Sequence, residues 1–147
     1  MTRSEFHERH SEIIEYYQYI EMHLRGICAV LLASEEKSWF DQLDEHNTDT
    51  LGALITKIQS LQSQKSLDLF SPEDLETLNQ LRKNRNYWVH QCFTDPKERL
   101  VTYNRVDTIK NIEIVKRINS DLRAAIEWNE KITEVETPLV NKSILNR

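Results

Sequence analysis

The sequence predicts an all-α protein: an antiparallel bundle of four main helices with one or two short extra helices. Three observations carry this expectation. Only two Gly and three Pro occur in 147 residues, too few turn formers for a β-rich fold. Apolar residues recur at steps of three and four along most of the chain, the period of a helix with one buried face. The length fits one hydrophobic core, since two cores of half this size would each bury too little surface.

The first helix is expected from about Ser4 to Ala33, where Ile13, Tyr17, Ile20, Leu24, Ile27 and Leu31 form one seam with Glu21 beside it. Residues 34 to 48 are polar around Trp39, Phe40 and Leu43 and read as a linker or a short helix. Thr48, Asp49 or Thr50 then caps a second main helix with a stripe of Leu51, Leu54, Ile55, Ile58 and Leu61. The Ser/Gln/Lys-rich stretch from Ser60 to Ser66 reads as its exit loop. Ser71-Pro72-Glu73-Asp74 is the clearest start signal: a capping serine, proline at the first helical position and acids at the positive end of the dipole. This third helix is expected to run towards Phe93 and to stop before Pro96. A last helix, from about Asp107 to Glu136, carries Ile109, Ile112, Val115, Ile118, Leu122, Ala125 and Ile132. Pro138 marks its expected end, so that residues 1 to 136 form the helical domain. Residues 137 to 147 form a tail, the expected docking segment for a partner.

Hydrophobic residues make up 39% and charged residues 29% of the chain, the range of soluble globular proteins. No apolar run is long enough to span a membrane. Neither a signal peptide nor a lipidation signal is visible at the polar N-terminus, so a cytoplasmic protein with no membrane partner is expected. Cys28 and Cys92 sit in apolar helical patterns and read as reduced core thiols. His7, His10, His23 and His46 form no metal-ligand spacing with paired carboxylates, so no metal and no cofactor is expected, and these histidines read as surface or packing residues.

The net charge of −5 argues against holding duplex nucleic acid by bulk electrostatics. It is uneven, however. Residues 82 to 110 hold seven basic residues, among them Arg82, Lys83 and Arg85, against three acidic ones; the segment is +4 and the rest of the chain −9. A polyanion site would therefore be local to this segment, unless these are ordinary solvated charges on a helix surface.

Within it, Leu78, Leu81, Arg85, Trp88 and Cys92 keep the helical step, so Arg85 stands where the pattern calls for an apolar residue. A guanidinium there needs an anion, because a buried unpaired charge is costly. Glu21 is the expected structural partner; a bound phosphate would serve as well. His90 follows five residues on, about 140° round an α-helix, and Asn86 shares its face one turn earlier, where it could hydrogen-bond the imidazole and fix its tautomer. A fixed cation, a proton carrier near neutrality and an orienting amide are the parts needed to cleave RNA without a metal. The 2′-hydroxyl attacks its own phosphate, Arg85 stabilises the developing charge and His90 moves a proton. One histidine cannot easily work on both sides of the phosphorus, which makes a homodimer with a composite cleft chemically attractive. Tyr87 and Trp88 would stack on bases or pack an interface.

The run Arg85-Asn86-Tyr87-Trp88-Val89-His90 resembles the Arg-x4-6-His motif of HEPN domains, in which a polar residue follows the arginine. The four-helix reading over residues 4 to 136, with the motif late in the third main helix, is similar to that family's fold. The resemblance implies a metal-independent endoribonuclease acting on single-stranded or looped RNA, a toxin or defence effector with a site at a homodimer interface and an antitoxin or regulatory protein as partner. On this reading Arg85 and His90 are catalytic, Asn86 supports them, and Arg82, Lys83 and Tyr87 contact RNA. Arg3 and His10 also satisfy the spacing, but they precede the apolar frame and are set aside. One departure is informative: a tyrosine two residues after the motif histidine, modified by a nucleotidyltransferase antitoxin in one toxin group, is Cys92 here, which counts against that kind of regulator. Two other readings remain open. One is a non-catalytic HEPN-like helical module binding a nucleotide, RNA or a protein partner; the other is an assembly module in which Arg85 pairs with Glu21 and no ligand exists.

Overall fold

The structure, a computed structural model, describes residues 1–93 and 112–145. Its elements are α1 (Arg3–Leu32), α2 (Trp39–Glu45), α3 (Leu51–Gln64), α4 (Pro72–Asn86), a π turn (Tyr87–Gln91) and α5 (Ile112–Leu145). The protein is an all-α bundle of four long helices with one short helix between the first two, and no strand occurs among the described residues.

Local chemistry sets the helix starts. Thr2 caps α1, Ser38 caps α2 and Ser71 caps α4, each in a reciprocal capping box with the acid three residues on, which satisfies amide donors that the helix itself leaves open. Thr50 caps α3 through the Ala53 amide. Pro72 occupies the first turn of α4, where its missing N–H costs nothing.

The seam of α1, from Ile13 through Leu31, is buried, and its principal neighbour is α5. Directions follow from side-chain pairs. Tyr17 lies near Asp121, and His23 lies 3.2 Å from Glu136, so α1 and α5 run the same way. Trp88 meets Asp121 and Asp74 meets Lys131, so α4 runs against α5 and, through Arg85 and Glu21, against α1. Gly26 is placed where a Cβ would lie 2.7 Å from the Glu136 carboxylate; the absent side chain lets that carboxylate settle onto α1 beside His23.

Three boundaries differ from expectation, whereas residues 39–45 form the short helix that is one of the two readings of that stretch. Ser60 to Gln64 belongs to α3 rather than to a loop: the polar residues are its outer face while Leu61 faces inward. The α-helical part of the motif helix ends at Asn86, and the π turn carries the chain on to Gln91. Finally, α5 does not stop at Pro138 but runs through it to Leu145. An interior proline costs roughly 3 kcal/mol in a helix; here Leu139 packs on the core and Val140 and Ile144 close a small apolar pocket against Trp39, which offsets it. The expected tail is therefore helical as far as it is described. The expected stop at Pro96, the start of the last helix before Ile112, and the charges Lys97, Arg99, Arg105, Lys110, Asp95, Glu98 and Asp107 lie outside the described residues. No described helix is long and apolar enough to cross a membrane.

Candidate active site

Arg85 sits in the last turn of α4 with its side chain 29% exposed, and its Nε lies 3.4 Å from Glu21 Oε1 on α1, a carboxylate only 15% exposed. That oxygen is buried and takes no hydrogen bond among the described residues, so the contact is an ion pair rather than an aligned bond. Burial pushes the Glu21 carboxyl above its ordinary range, opposed by the positive charges of Arg85 and Arg25. The guanidinium also donates from Nη1 to Asn86 Oδ1 at 3.4 Å, leaving most of its five N–H donors unused among the described residues.

The amide of Asn86 thus serves the guanidinium; the expected bond from Asn86 to the His90 imidazole is not formed. His90 itself is exposed on the π turn. The turn matters for direction: its defining bond runs from the Cys92 amide to the Tyr87 carbonyl at 2.9 Å, five residues back rather than four. A wider turn takes more residues per revolution, so His90 stands at less than the α-helical angle of about 140° from Arg85. Such single π turns occur frequently at functional sites.

Tyr87 and Trp88 anchor the turn instead of facing solvent. Trp88 is wholly buried and Tyr87 is 6% exposed. Trp88 Nε1 donates to Asp121 Oδ2 of α5 at 2.8 Å, and the Arg117 guanidinium lies over the Tyr87 ring at 3.5 Å from its centroid. With Arg117 over its ring and only 6% of its surface exposed, Tyr87 packs within the fold and does not present an open face for a base. Beneath this pair the Tyr17 hydroxyl is buried without a hydrogen-bond partner among the described residues. Burial, then the Asp121 charge, raises its ionisation.

The two remaining basic candidates point elsewhere. Arg82 is half-buried, with its Cδ 3.0 Å from where a Gly52 Cβ would be, so its stem packs on α3. Lys83 lies two residues from Arg85, about 200° round the helix, and lines an open groove of about 800 Å³ with Glu76 and Gln80. It does not share the face of Arg85. His10 was set aside in the sequence, yet its Nε2 reaches the Trp88 carbonyl at 2.8 Å. Its signal was its place on the α1 seam: Phe6, His10 and Ile13 extend the four-then-three step by a turn. Arg117 and Asp121 gave no comparable signal.

Burial pushes the Cys28 and Cys92 thiols up to about 11, far from the reactive thiolate range. Among the described residues no group of three or more His, Cys, Asp or Glu side chains could hold a metal ion.

The half-buried carboxylates set a pH dependence. Burial raises Glu21, Asp121 and Glu136 alike, so each binds its proton more tightly folded than unfolded. Their contribution to stability is full below the ordinary carboxylate value and is lost as pH rises through the raised value. Asp49 and Asp74 are lowered, chiefly by hydrogen bonds from Lys57 and Lys131, and lose their contribution only as pH falls through the lowered values. Thermal melts are therefore expected to show greatest stability on the acid side of neutrality. Asp121→Asn, which keeps an acceptor for the indole, should flatten the rise from about pH 7. Identical profiles for the two proteins would remove Asp121 from this account.

Compared with protein-family models, with curated proteins and with solved structures, the chain finds no match in any of the three.

Proposed function

We propose that the chain is a metal-independent endoribonuclease of the HEPN type that cleaves single-stranded or looped RNA, with Arg85 and His90 catalytic and Asn86 in support. The observation that carries this reading is a half-buried guanidinium, with N–H donors to spare, followed five residues later by an exposed imidazole on a π turn. Arg85 would take the charge that builds on the non-bridging phosphate oxygens as the 2′-hydroxyl attacks. His90 would move a proton to or from the attacking or leaving oxygen. Asn86, bonded to Arg85, would fix the guanidinium plane. A homodimer that brings two π turns across one cleft would supply a second imidazole for the opposite side of the phosphorus. A toxin or defence role, an antitoxin or regulatory partner and a cytoplasmic setting belong to the same proposal.

The test is RNA cleavage by the purified chain in excess EDTA. His90→Ala is expected to reduce cleavage by about 10²–10⁴-fold with helicity and association state unchanged. Cutting that persists in the variant would take His90 out of the mechanism. A second reading, a non-catalytic module binding a nucleotide, RNA or a protein at the same face, draws on the Glu21 pair, which already gives Arg85 an anion without a substrate. It expects no cleavage, with binding that survives His90→Ala and weakens when Arg85 is replaced.

A further inference from the structure

The π turn disturbs one buried backbone group. In an α-helix the Trp88 carbonyl would accept the amide of Cys92, four residues on. Here that amide is bonded to Tyr87 instead, and the Trp88 carbonyl drops out of the ladder next to a fully buried indole. A buried carbonyl without a partner costs about 1–3 kcal/mol. Two side chains meet it: His10 Nε2 from α1 at 2.8 Å and Cys92 Sγ at 3.2 Å. A carbonyl can only accept, so the His10 proton must sit on Nε2, and the Cys92 thiol donates as the weaker of the two. The imidazole is itself enclosed by rings, stacked on Phe6 at 6.4 Å and edge-on to Trp88 at 6.3 Å and Phe93 at 5.0 Å.

This arrangement makes the hydrogen bond a choice between two backbones. With the His10 donor present, the wide turn leaves no strong acceptor wasted. With the His10 donor removed, the carbonyl keeps only the weak thiol donor, and it regains a strong one most simply if the Cys92 amide returns to it, which is the α-helical bond. That return would turn His90 away from Arg85 towards the full α-helical offset.

We infer that His10 is a positioning residue that holds residues 87–91 in the π turn and so sets the direction of His90 relative to Arg85. Its consequence for catalysis rests on the ribonuclease reading; its consequence for the backbone does not. His10 touches no reacting atom and acts through Trp88.

Two variants and two kinds of readout test it. His10→Ala removes the donor, whereas His10→Gln offers a side-chain N–H to the same carbonyl. In the full chain, the Trp88 carbonyl ¹³C shift and the ring ¹H–¹⁵N spectrum of His90 are expected to move in His10→Ala and to return towards wild type in His10→Gln. On single-stranded RNA in EDTA, kcat should fall by about 10²-fold in His10→Ala, with KM little changed and most of kcat regained in His10→Gln. A folded His10→Ala protein with a wild-type Trp88 shift and His90 ring spectrum overturns the inference, as does a His10→Gln protein no closer to wild type than His10→Ala. Should His10→Ala fail to fold, the His10→Gln spectra decide, and a displaced His90 ring there overturns it. If the wild-type chain cleaves no RNA, the ribonuclease reading falls alone, and the two spectra still decide the role of His10.

Discussion

Arg85→Ala is expected to cut RNA cleavage sharply and, separately, to weaken the fold. Loss of the motif guanidinium should cost about 10²–10³ in kcat, the usual scale for removing a donor that stabilises developing charge. The structural loss has another origin. Glu21, 15% exposed, would be left as a half-buried charge with no close counter-charge from α4. Breaking a fully buried pair costs about 3–5 kcal/mol; because Arg85 is 29% exposed and water screens it, about 1–2 kcal/mol is expected here. Adding Glu21→Gln to Arg85→Ala removes the orphaned charge and should restore most of the stability, with no return of cleavage. Urea unfolding of the single and double variants, alongside cleavage in EDTA, measures both effects. Wild-type cleavage by Arg85→Ala would reduce the arginine to a structural ion pair and favour an assembly module.

Trp88→Ala should be the most destabilising change at the motif. Truncating a fully buried tryptophan costs about 3–5 kcal/mol, which lowers the melting temperature of a domain this size by on the order of 10 °C. Two further losses accompany the cavity: Asp121 forfeits its indole donor, and Tyr87 and Phe6 lose a ring neighbour. Trp88→Phe keeps much of the packing and drops only the N–H, for about 1–2 kcal/mol. A melt of Trp88→Ala within a degree or two of wild type would mean that the indole does not anchor the core.

The sequence was most legible where one residue type has one physical use. Ser71-Pro72 could only open a helix, and the four-three spacing from Ile13 to Leu31 could only be a buried face; both stand in the structure. It was less legible where two uses share a spelling. The polar residues from Ser60 to Gln64 suit a loop as well as the outside of a helix, and only the inward Leu61 separates them. Pro138 is a helix stop by local chemistry, and the packing that overrides it comes from α2, about a hundred residues earlier. The π turn has no composition of its own: Tyr87, Trp88 and Cys92 are buried on either bonding scheme, and the choice lies in which carbonyl the Cys92 amide takes. For the same reason Tyr87 looked available to RNA. Its cover, Arg117, is remote in sequence, and only the fold brings the guanidinium over the ring.

Proline at position 138 gives α5 two mechanical parts. The ring supplies no N–H, so the Glu134 carbonyl lacks its usual donor, and the hydroxyls of Thr133 and Thr137 bond back to the Asn129 and Thr133 carbonyls just before the break. The arm up to that break is fastened along α1, whereas the two turns beyond it rest on Val30, Trp39 and Phe40 and, through Leu139, on the edge of the core. Local opening of those two turns is therefore expected to cost less free energy than global unfolding.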